Sequence, residues 1–162
     1  MVRVFLVMVL AFGLTACNSK FRNYYGPTVT LIVIDKSDRK MSLFHNDKVL
    51  KTYDVDLGRA PSGPKQFEGD GKTPEGRYVI DRRNPNSHYH LSLGISYPNP
   101  ADIAFAASQG KAPGGEIFVH GRSNFRGGNI GDWTEGCIAV TDSQIETVYA
   151  MVKTGTPIII RP

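Results

Sequence analysis

The chain has 162 residues, of which 41% are hydrophobic, and a formal net charge of +4. A chain of this length is expected to fold as one domain around a single core, so no second module is predicted. Basic and acidic residues are interspersed, without the basic helix or aromatic–basic stretch that follows a phosphate backbone, so nucleic acid is not expected as a partner.

The first 16 residues have the pattern of an export signal. Arg3 precedes an apolar run, residues 4–14, which is shorter than the about 20 residues that a membrane-spanning helix needs. The LTAC sequence at 14–17 resembles a bacterial lipoprotein processing site, which implies cleavage before Cys17 and lipid attachment to its sulfur. An ordinary export signal cut nearby is the alternative, and both interpretations send the chain out of the cytoplasm, to the periplasm. Asn18 is not the aspartate of an inner-membrane retention signal, which favours the outer membrane.

Residues 17–28 are predicted to be the lipidated cysteine and a tether, because they lack hydrophobic periodicity and contain Gly26 and Pro27. Domain contacts are expected to begin near Val29, so that the domain spans residues 29–162.

Short β-rich runs dominate this domain. Three of them are separated by tight polar turns and predict a meander; they are residues 29–35, 40–46 and 48–58. Residues 59–76 hold four glycines and three prolines, which predicts a long loop of the kind that often forms a lid or a binding edge. Further strands are predicted at 77–83, at 89–98, around His120, after Cys137 and at 157–162.

Two helices are predicted among the strands. Asn99 is a candidate N-cap before Pro100, and Gly110 is suited to end that helix in a left-handed conformation. Thr141 and Gln144 have the spacing of a capping box for a second helix, whose apolar stripe is expected to pack on the sheet. Because strands outnumber helices, the predicted fold class is mainly β: a β-sandwich of mixed or antiparallel sheets with one or two short helices at the side.

Cys137 is the candidate nucleophile. If Cys17 is lipidated, Cys137 is the single thiol that remains, and it has no disulfide partner in an oxidising compartment. A lone cysteine is commonly a small buried hydrophobic residue, so its surroundings decide between the two interpretations. A free thiol has a pKa of about 8.5 and needs a neighbouring base to react at neutral pH. His120 is the histidine whose strand can end beside Cys137 once the glycine-rich loop between them folds back.

Three other residues complete this candidate catalytic centre. Gly136 lets the backbone approach a substrate closely, and the N–H groups of Gly136 and Cys137 are expected to bind an oxyanion. Thr134 is expected to support the same turn with its hydroxyl. The Gly121 carbonyl is predicted to orient His120, because no acidic partner lies at a fixed spacing.

These motifs together resemble a known family. The HG pair, the glycine-rich loop and TEGCIAV are similar to the histidine, loop and Ser/Thr-x-Gly-Cys signature of the L,D-transpeptidase catalytic domain family (YkuD type). TPEG at 73–76 resembles the Thr-Pro-x-Gly segment beside the family's cleft, which makes Thr73 a candidate substrate-binding residue. The resemblance extends over nearly the whole domain.

The resemblance implies a β-sandwich and peptidoglycan chemistry without a metal or organic cofactor. Cys137 would attack the carbonyl that joins the third residue of a stem peptide, commonly diaminopimelate, to the terminal D-alanine, forming a thioester and releasing D-alanine. The acyl group would then pass to an amine of another stem peptide, to a lysine of an outer-membrane lipoprotein or to a free D-amino acid. Water as the acceptor would instead make the protein an L,D-carboxypeptidase or an amidase. A wall-binding lipoprotein without turnover is a further alternative.

Two positions depart from the commonest family pattern. Glu135 stands where many members have a second histidine, and Ala139 where many have arginine or asparagine. Both changes remove groups that help to bind a carboxylate or stabilise charge near the acyl pocket. They are therefore expected to affect transfer of the acyl group to an amine more than the reaction of the Cys137 thiolate. Glu135 remains a candidate substrate-binding residue. Arg122 is a candidate to replace the lost cationic contact, with a solvated surface arginine as the alternative.

His88 and His90 are two residues apart, which places both on one face of the predicted strand. This is a two-ligand metal spacing, but no third ligand lies at a recognisable spacing, so no metal site is predicted. Both are interpreted as cleft or surface histidines, and His90 is a candidate to border the substrate channel. Trp133 is interpreted as a packing residue of the catalytic loop, with stacking on a sugar or peptide as the alternative.

Overall fold

The computed structural model describes residues 19–122 and 131–162. The predicted export signal, Cys17 and most of the glycine-rich loop after Arg122 lie outside the described residues. The described ranges contain β1 Leu31–Asp35, β2 Lys40–His45, β3 Lys48–Asp54, β4 Gly76–Asn84, β5 Ser92–Ile95, α1 Pro100–Ser108, β6 Phe118–His120, β7 Ile138–Ala139, α2 Asp142–Met151 and β8 Pro157–Arg161.

The strands form one mixed sheet in the order β3-β2-β1-β8-β4-β5-β6-β7. β1 pairs with β8 and β6 with β7 in parallel, and the other described neighbours pair antiparallel. Bridges from Asp56 to Ala139 and from Gly58 to Thr134 join the chain after β3 to the opposite edge of the sheet. The sheet therefore curls into a half-barrel whose two halves are the facing layers of the predicted sandwich. The prediction of a mainly β fold with mixed pairing and two short helices is confirmed.

The core lies between the two halves of the sheet. Alternation along β1 places Ile32 and Ile34 inside, where both are fully buried. α2 packs its apolar stripe against β5 and β6, the strand that ends at His120. The stripe consists of Ile145, Val148, Tyr149 and Met151.

Both helices begin where capping chemistry predicts. The Asn99 side chain accepts hydrogen bonds from two backbone N–H groups at the start of α1, and Gly110, just beyond its end, has φ +64°. Thr141 accepts from the Gln144 N–H in a complete capping box at the start of α2. Across the described ranges, neither helix has the length and apolar character needed to cross a bilayer.

The long loop before β4 is held by two buried lysines, Lys36 and Lys65, for which the local sequence gives no signal. Lys36 Nζ donates to the carbonyl oxygens of Gly63 at 2.7 Å and Thr73 at 3.2 Å, and pairs with Glu75 Oε1 at 2.6 Å. Lys65 Nζ likewise pairs with Asp70 Oδ1 at 2.9 Å. These cations satisfy backbone carbonyls that a glycine- and proline-rich segment cannot satisfy in a ladder, so the loop has a fixed path.

Within the part of the chain that the structure describes, Lys20 already contacts the domain, ahead of the predicted start near Val29. Lys20 Nζ donates to the carbonyl oxygens of Pro85 and His90 at 2.6 and 3.1 Å. Arg22 pairs with Glu146 of α2 at 2.7 Å. The predicted tether is therefore docked on the domain at its described end, because its basic residues find acceptors on the turn before β5 and on α2.

The predicted strand over residues 89–98 is shorter than expected. β4 and β5 pair antiparallel with Asn84 opposite Ser92, so the residues between them form the connecting turn. His88 and His90 lie in this turn, and His90 has φ +73°. The expectation that both lie on one strand face is therefore wrong, because the hairpin geometry takes them out of the ladder.

Candidate active site

His120 and Cys137 line one open groove of about 320 Å³. His120 ends β6, and Cys137 directly precedes β7, which runs parallel to β6 with Val119 opposite Ile138. This pairing brings together two residues that a loop separates in sequence. The other groove residues are Asn84, Ser87, His88, Tyr89, Ser92, Glu116 and Phe118.

The imidazole of His120 is held by one hydrogen bond and two aromatic rings. Its Nδ1 donates to the Gly121 carbonyl oxygen at 2.6 Å, in the tautomer that this acceptor requires. The Tyr89 ring stacks on it with centroids 4.4 Å apart, and the Trp133 ring meets it edge-on at 5.8 Å. Nε2 is then the basic nitrogen of the neutral ring. Burial lowers the pKa of His120, although the Gly121 hydrogen bond opposes that shift, so the ring is neutral at pH 7.

Gly121 has to be glycine for this arrangement. An added Cβ would lie 2.5 Å from Asp142 Oδ1 and 2.9 Å from the Tyr89 carbonyl oxygen. The Gly121 N–H donates to that same Tyr89 oxygen at 3.0 Å. The carbonyl that orients His120 is therefore tied directly to the turn that supplies the stacking ring.

The thiol of Cys137 sits against the backbone just before β6. Its Sγ donates to the Glu116 carbonyl oxygen at 3.5 Å. Burial raises the pKa of this thiol; the Phe118 N–H opposes the shift, the Glu116 carboxylate adds to it and Lys65 opposes it. The directions of these two shifts favour a neutral thiol and a neutral imidazole on the walls of the same groove at pH 7.

The turn before Cys137 is stabilised by the Thr134 hydroxyl. This hydroxyl donates to the Cys137 carbonyl oxygen at 2.6 Å and accepts from the Gly136 N–H at 3.2 Å. Gly136 has φ +131°, and a Cβ there would lie 2.5 Å from the Lys72 carbonyl oxygen. The long loop therefore packs backbone to backbone on this turn. The Gly136 N–H, predicted to face an oxyanion, is directed to Thr134 in this structure.

Thr73 and Glu135 lie away from the groove walls. The Thr73 side chain is buried, and its Oγ1 accepts from the Gly58 N–H at 3.0 Å, so it joins the long loop to the chain after β3. Glu135 is exposed and pairs with Arg59 at 2.6 Å. The structure thus places both predicted substrate-binding residues outside the groove, where Thr73 contacts Gly58 and Glu135 contacts Arg59.

Arg122 and Trp133 meet on Asp56, behind the imidazole. Arg122 Nη2 donates to Asp56 Oδ2 at 2.7 Å, and Trp133 Nε1 donates to the same oxygen at 3.0 Å. Trp133 also packs on His120, which agrees with its interpretation as a packing residue of the loop. Arg122 faces a second cavity on this side of the sheet rather than the groove.

The two histidines of the turn before β5 have different surroundings, and His90, the one predicted to border the substrate channel, is engaged elsewhere. His90 Nε2 faces Glu146 Oε1 of α2 at 2.8 Å, and it does not line the groove. The Arg22 and His90 contacts together hold the pKa of Glu146 below its usual range, although desolvation opposes them. His88 is the one that lines the groove. Among the described residues, no group of three histidine, cysteine, aspartate or glutamate side chains is arranged to hold a metal ion.

Sequence reasoning missed Tyr89, Glu116 and Phe118. Tyr89 stands between His88 and His90, but its stacking partner His120 is 31 positions away in sequence. Glu116 has φ +56°, a conformation uncommon for a residue with a side chain, and the sequence gives no local signal for it.

The half-barrel, with a groove that holds a cysteine and a histidine, has the architecture of a transpeptidase-type catalytic domain. The profile of the L,D-transpeptidase catalytic domain (YkuD) matches residues 29–160, and the chain belongs to this family.

Two kinds of relatives carry the comparison further. YafK of Escherichia coli strain K12, a provisionally named L,D-transpeptidase, is 26% identical over 154 residues, which cover 91% of this chain and 56% of YafK. The crystal structure of Pgp2, a helical cell shape determining protein of Campylobacter jejuni, has a TM-score of 0.64 at 26% identity and matches 85% of this chain and 49% of Pgp2. The chain therefore spans about half the length of these relatives.

An L,D-transpeptidase of Mycobacterium smegmatis shares the fold alone. It is 18% identical, with a TM-score of 0.56, over 82% of this chain and 58% of its own.

Proposed function

We propose that this protein is an L,D-transpeptidase that uses Cys137 as its nucleophile and His120 as its general base and acid. The observation that carries the proposal is the placement of both side chains in one groove, with the imidazole fixed through Nδ1 on the Gly121 carbonyl. That fixation leaves Nε2 to take up and return a proton.

In the acylation step, Sγ of Cys137 attacks the carbonyl carbon between the third residue of a stem peptide and its terminal D-alanine. His120 Nε2 accepts the thiol proton as the C–S bond forms, because the resting pair is neutral. The Cys137 N–H is proposed to stabilise the oxyanion, joined by the Gly136 N–H when it turns from Thr134 to the substrate. The carbon–nitrogen bond then breaks, and the D-alanine amine leaves with the proton from His120.

In the second step, an acceptor attacks the thioester carbonyl carbon and His120 Nε2 receives the acceptor's proton. The carbon–sulfur bond then breaks, and the sulfur of Cys137 leaves with that proton from His120, which restores the neutral thiol and imidazole. An amine of another stem peptide gives a crosslink, a free D-amino acid gives exchange, and a lysine of an outer-membrane lipoprotein gives attachment to the wall. Water gives a tripeptide, so carboxypeptidase or amidase activity is the alternative within the same chemistry. Acceptor choice depends on the shape of the groove and on access of water to it.

The domain is proposed to act in the periplasm as a lipoprotein anchored at Cys17, with the outer membrane favoured. The support is the LTAC sequence and the docking of Lys20, three residues further on, which keeps the domain close to its anchor. Expression with a labelled fatty acid tests this: label is expected on the native chain and not on Cys17→Ala.

The reaction is tested by mass analysis of a purified disaccharide-tetrapeptide incubated with the mature protein, with and without a D-amino acid. Dimers identify crosslinking, exchanged stems identify exchange, and tripeptides identify hydrolysis. The matched control is Cys137→Ala, which is expected to produce none of these. Unchanged tetrapeptide with the native protein contradicts the proposal and favours a wall-binding protein without turnover.

A further inference from the structure

A row of three residues crosses three neighbouring strands beside the thiol. Arg82 of β4 lies opposite Gly94 of β5, which lies opposite Phe118 of β6. The Arg82 guanidinium reaches across the glycine and lies 4.7 Å from the centre of the Phe118 ring. A Cβ at Gly94 would come within 2.5 Å of Arg82 Cγ, so the missing side chain at Gly94 gives the arginine its path.

The arginine ends at a carboxylate on the groove wall. Arg82 Nη2 donates to Glu116 Oε1 at 2.9 Å. The Glu116 backbone carbonyl accepts from Cys137 Sγ, so this carboxylate belongs to the residue that touches the nucleophile. The side chains of Arg82 and Glu116 are 43% and 82% exposed, which leaves N–H groups and oxygen lone pairs open to a ligand.

Stability does not explain this arrangement. An exposed ion pair contributes little to folding, yet this pair depends on a glycine within a strand and on a left-handed backbone at Glu116. Asp81 adds a second carboxylate, accepting from Arg82 Nη1 at 3.1 Å. Two carboxylates and one guanidinium give the rim of the groove a net negative charge, which attracts an ammonium group.

We propose that Arg82 and Glu116 bind the zwitterionic end of the acyl donor's third residue, with its carboxylate on Arg82 and its ammonium on Glu116. The proposal rests on the proposed function, in which this residue carries the carbonyl that Cys137 attacks. A diaminopimelate-type side chain ends in a carbon that bears both groups. The ligand replaces the Arg82–Glu116 contact with two contacts of the same kind, so no charge is left unpaired, and Asp81 keeps the guanidinium oriented.

Binding of the ammonium has a second effect on the site. The Glu116 carboxylate raises the pKa of the Cys137 thiol, and an ammonium placed on that carboxylate offsets its field. The correct donor would therefore make the thiol easier to deprotonate as it binds.

The test compares two disaccharide-tetrapeptides that differ in the third residue, diaminopimelate or L-lysine. Lysine keeps the ammonium and lacks the carboxylate. Loss of a hydrogen bond to a charged group lowers kcat/KM for D-alanine release by about 10- to 100-fold, so the native protein is expected to prefer the diaminopimelate donor by that factor. Arg82→Gln is expected to abolish the preference by lowering the rate with diaminopimelate. Glu116→Gln is expected to slow both donors.

Lys40→Gln is the matched control, because Lys40 forms an exposed ion pair with Asp54 far from the groove; it should retain the native preference. Equal rates with both donors in the native protein, or a preference that survives in Arg82→Gln, overturn this inference and leave the proposed function standing. Absence of D-alanine release from either donor overturns the proposed function instead. In that case, the affinities of the two tetrapeptides for Cys137→Ala, measured by calorimetry, decide the inference. An affinity about 10- to 100-fold higher for the diaminopimelate peptide supports it, and equal affinities overturn it.

Discussion

Replacing Tyr89 with alanine tests how the fold positions the proposed base. The Tyr89 ring stacks 4.4 Å from the His120 imidazole, and a stacked aromatic pair is worth about 0.5–1.5 kcal/mol beyond its buried area. If that energy holds the imidazole in its reactive orientation, its loss lowers kcat/KM by about 2- to 13-fold. The change also admits water to the ring, so the lowered pKa of His120 moves up toward its ordinary value of 6.5.

The assay is D-alanine release from a disaccharide-tetrapeptide, measured as kcat/KM between pH 5 and 9. The acid limb of the profile is expected to move to higher pH in Tyr89→Ala, because the base must be neutral to act. Tyr89→Phe keeps the stacked ring and is the control, expected to match the native profile. A Tyr89→Ala profile with an unshifted acid limb would refute the claim that this ring sets the environment of His120.

Three further perturbations follow from contacts in the structure. Lys36→Met leaves the partly buried Glu75 without its cation and should lower the free energy of unfolding in urea by about 3–5 kcal/mol. Lys40→Met, at an exposed ion pair, should lower it by under about 1 kcal/mol. Equal losses in the two variants would contradict the claim that Lys36 holds the long loop in place. Gly136→Ala forces a Cβ to within 2.5 Å of the Lys72 carbonyl oxygen, so thioester formation should slow at least about tenfold while the fold loses about 1–3 kcal/mol. Because His120 has a lowered pKa, the native state binds fewer protons than the unfolded state, and the free energy of unfolding should fall as the pH drops below 6.5. Urea titrations at pH 7.5 and 5.5 measure this decrease, which should be smaller for His120→Asn than for the native chain.

The parts of the fold that follow from neighbouring residues could be predicted. Asn99 and Thr141 cap helices because their side chains bond to N–H groups two or three positions away. His120 and Cys137 belong to one sequence motif, which places them at the end of β6 and directly before β7. These features depend on local chemistry, which a sequence displays directly.

Features that depend on distant partners could not be predicted. Val55 and Leu57 look like the end of the third strand, but the chain there leaves β3 and bridges to the opposite edge of the sheet. Lys36 reads as a solvated turn residue, yet it is buried under the long loop. Tyr89 contacts His120 because the β4–β5 hairpin and the pairing of β5 with β6 bring the two rings together. In each case, tertiary packing decides the position of a residue whose local sequence is neutral.

The central claim is that Cys137 becomes covalently acylated with His120 as its base. Intact-mass measurement after incubation with a carbapenem tests it most directly, in the native protein, in Cys137→Ala and in His120→Ala. The account predicts a single adduct that maps to Cys137 in the native protein, none in Cys137→Ala, and formation slowed by about 100- to 10,000-fold in His120→Ala. A native protein that stays unmodified, or an adduct that forms as fast without the imidazole, would contradict it.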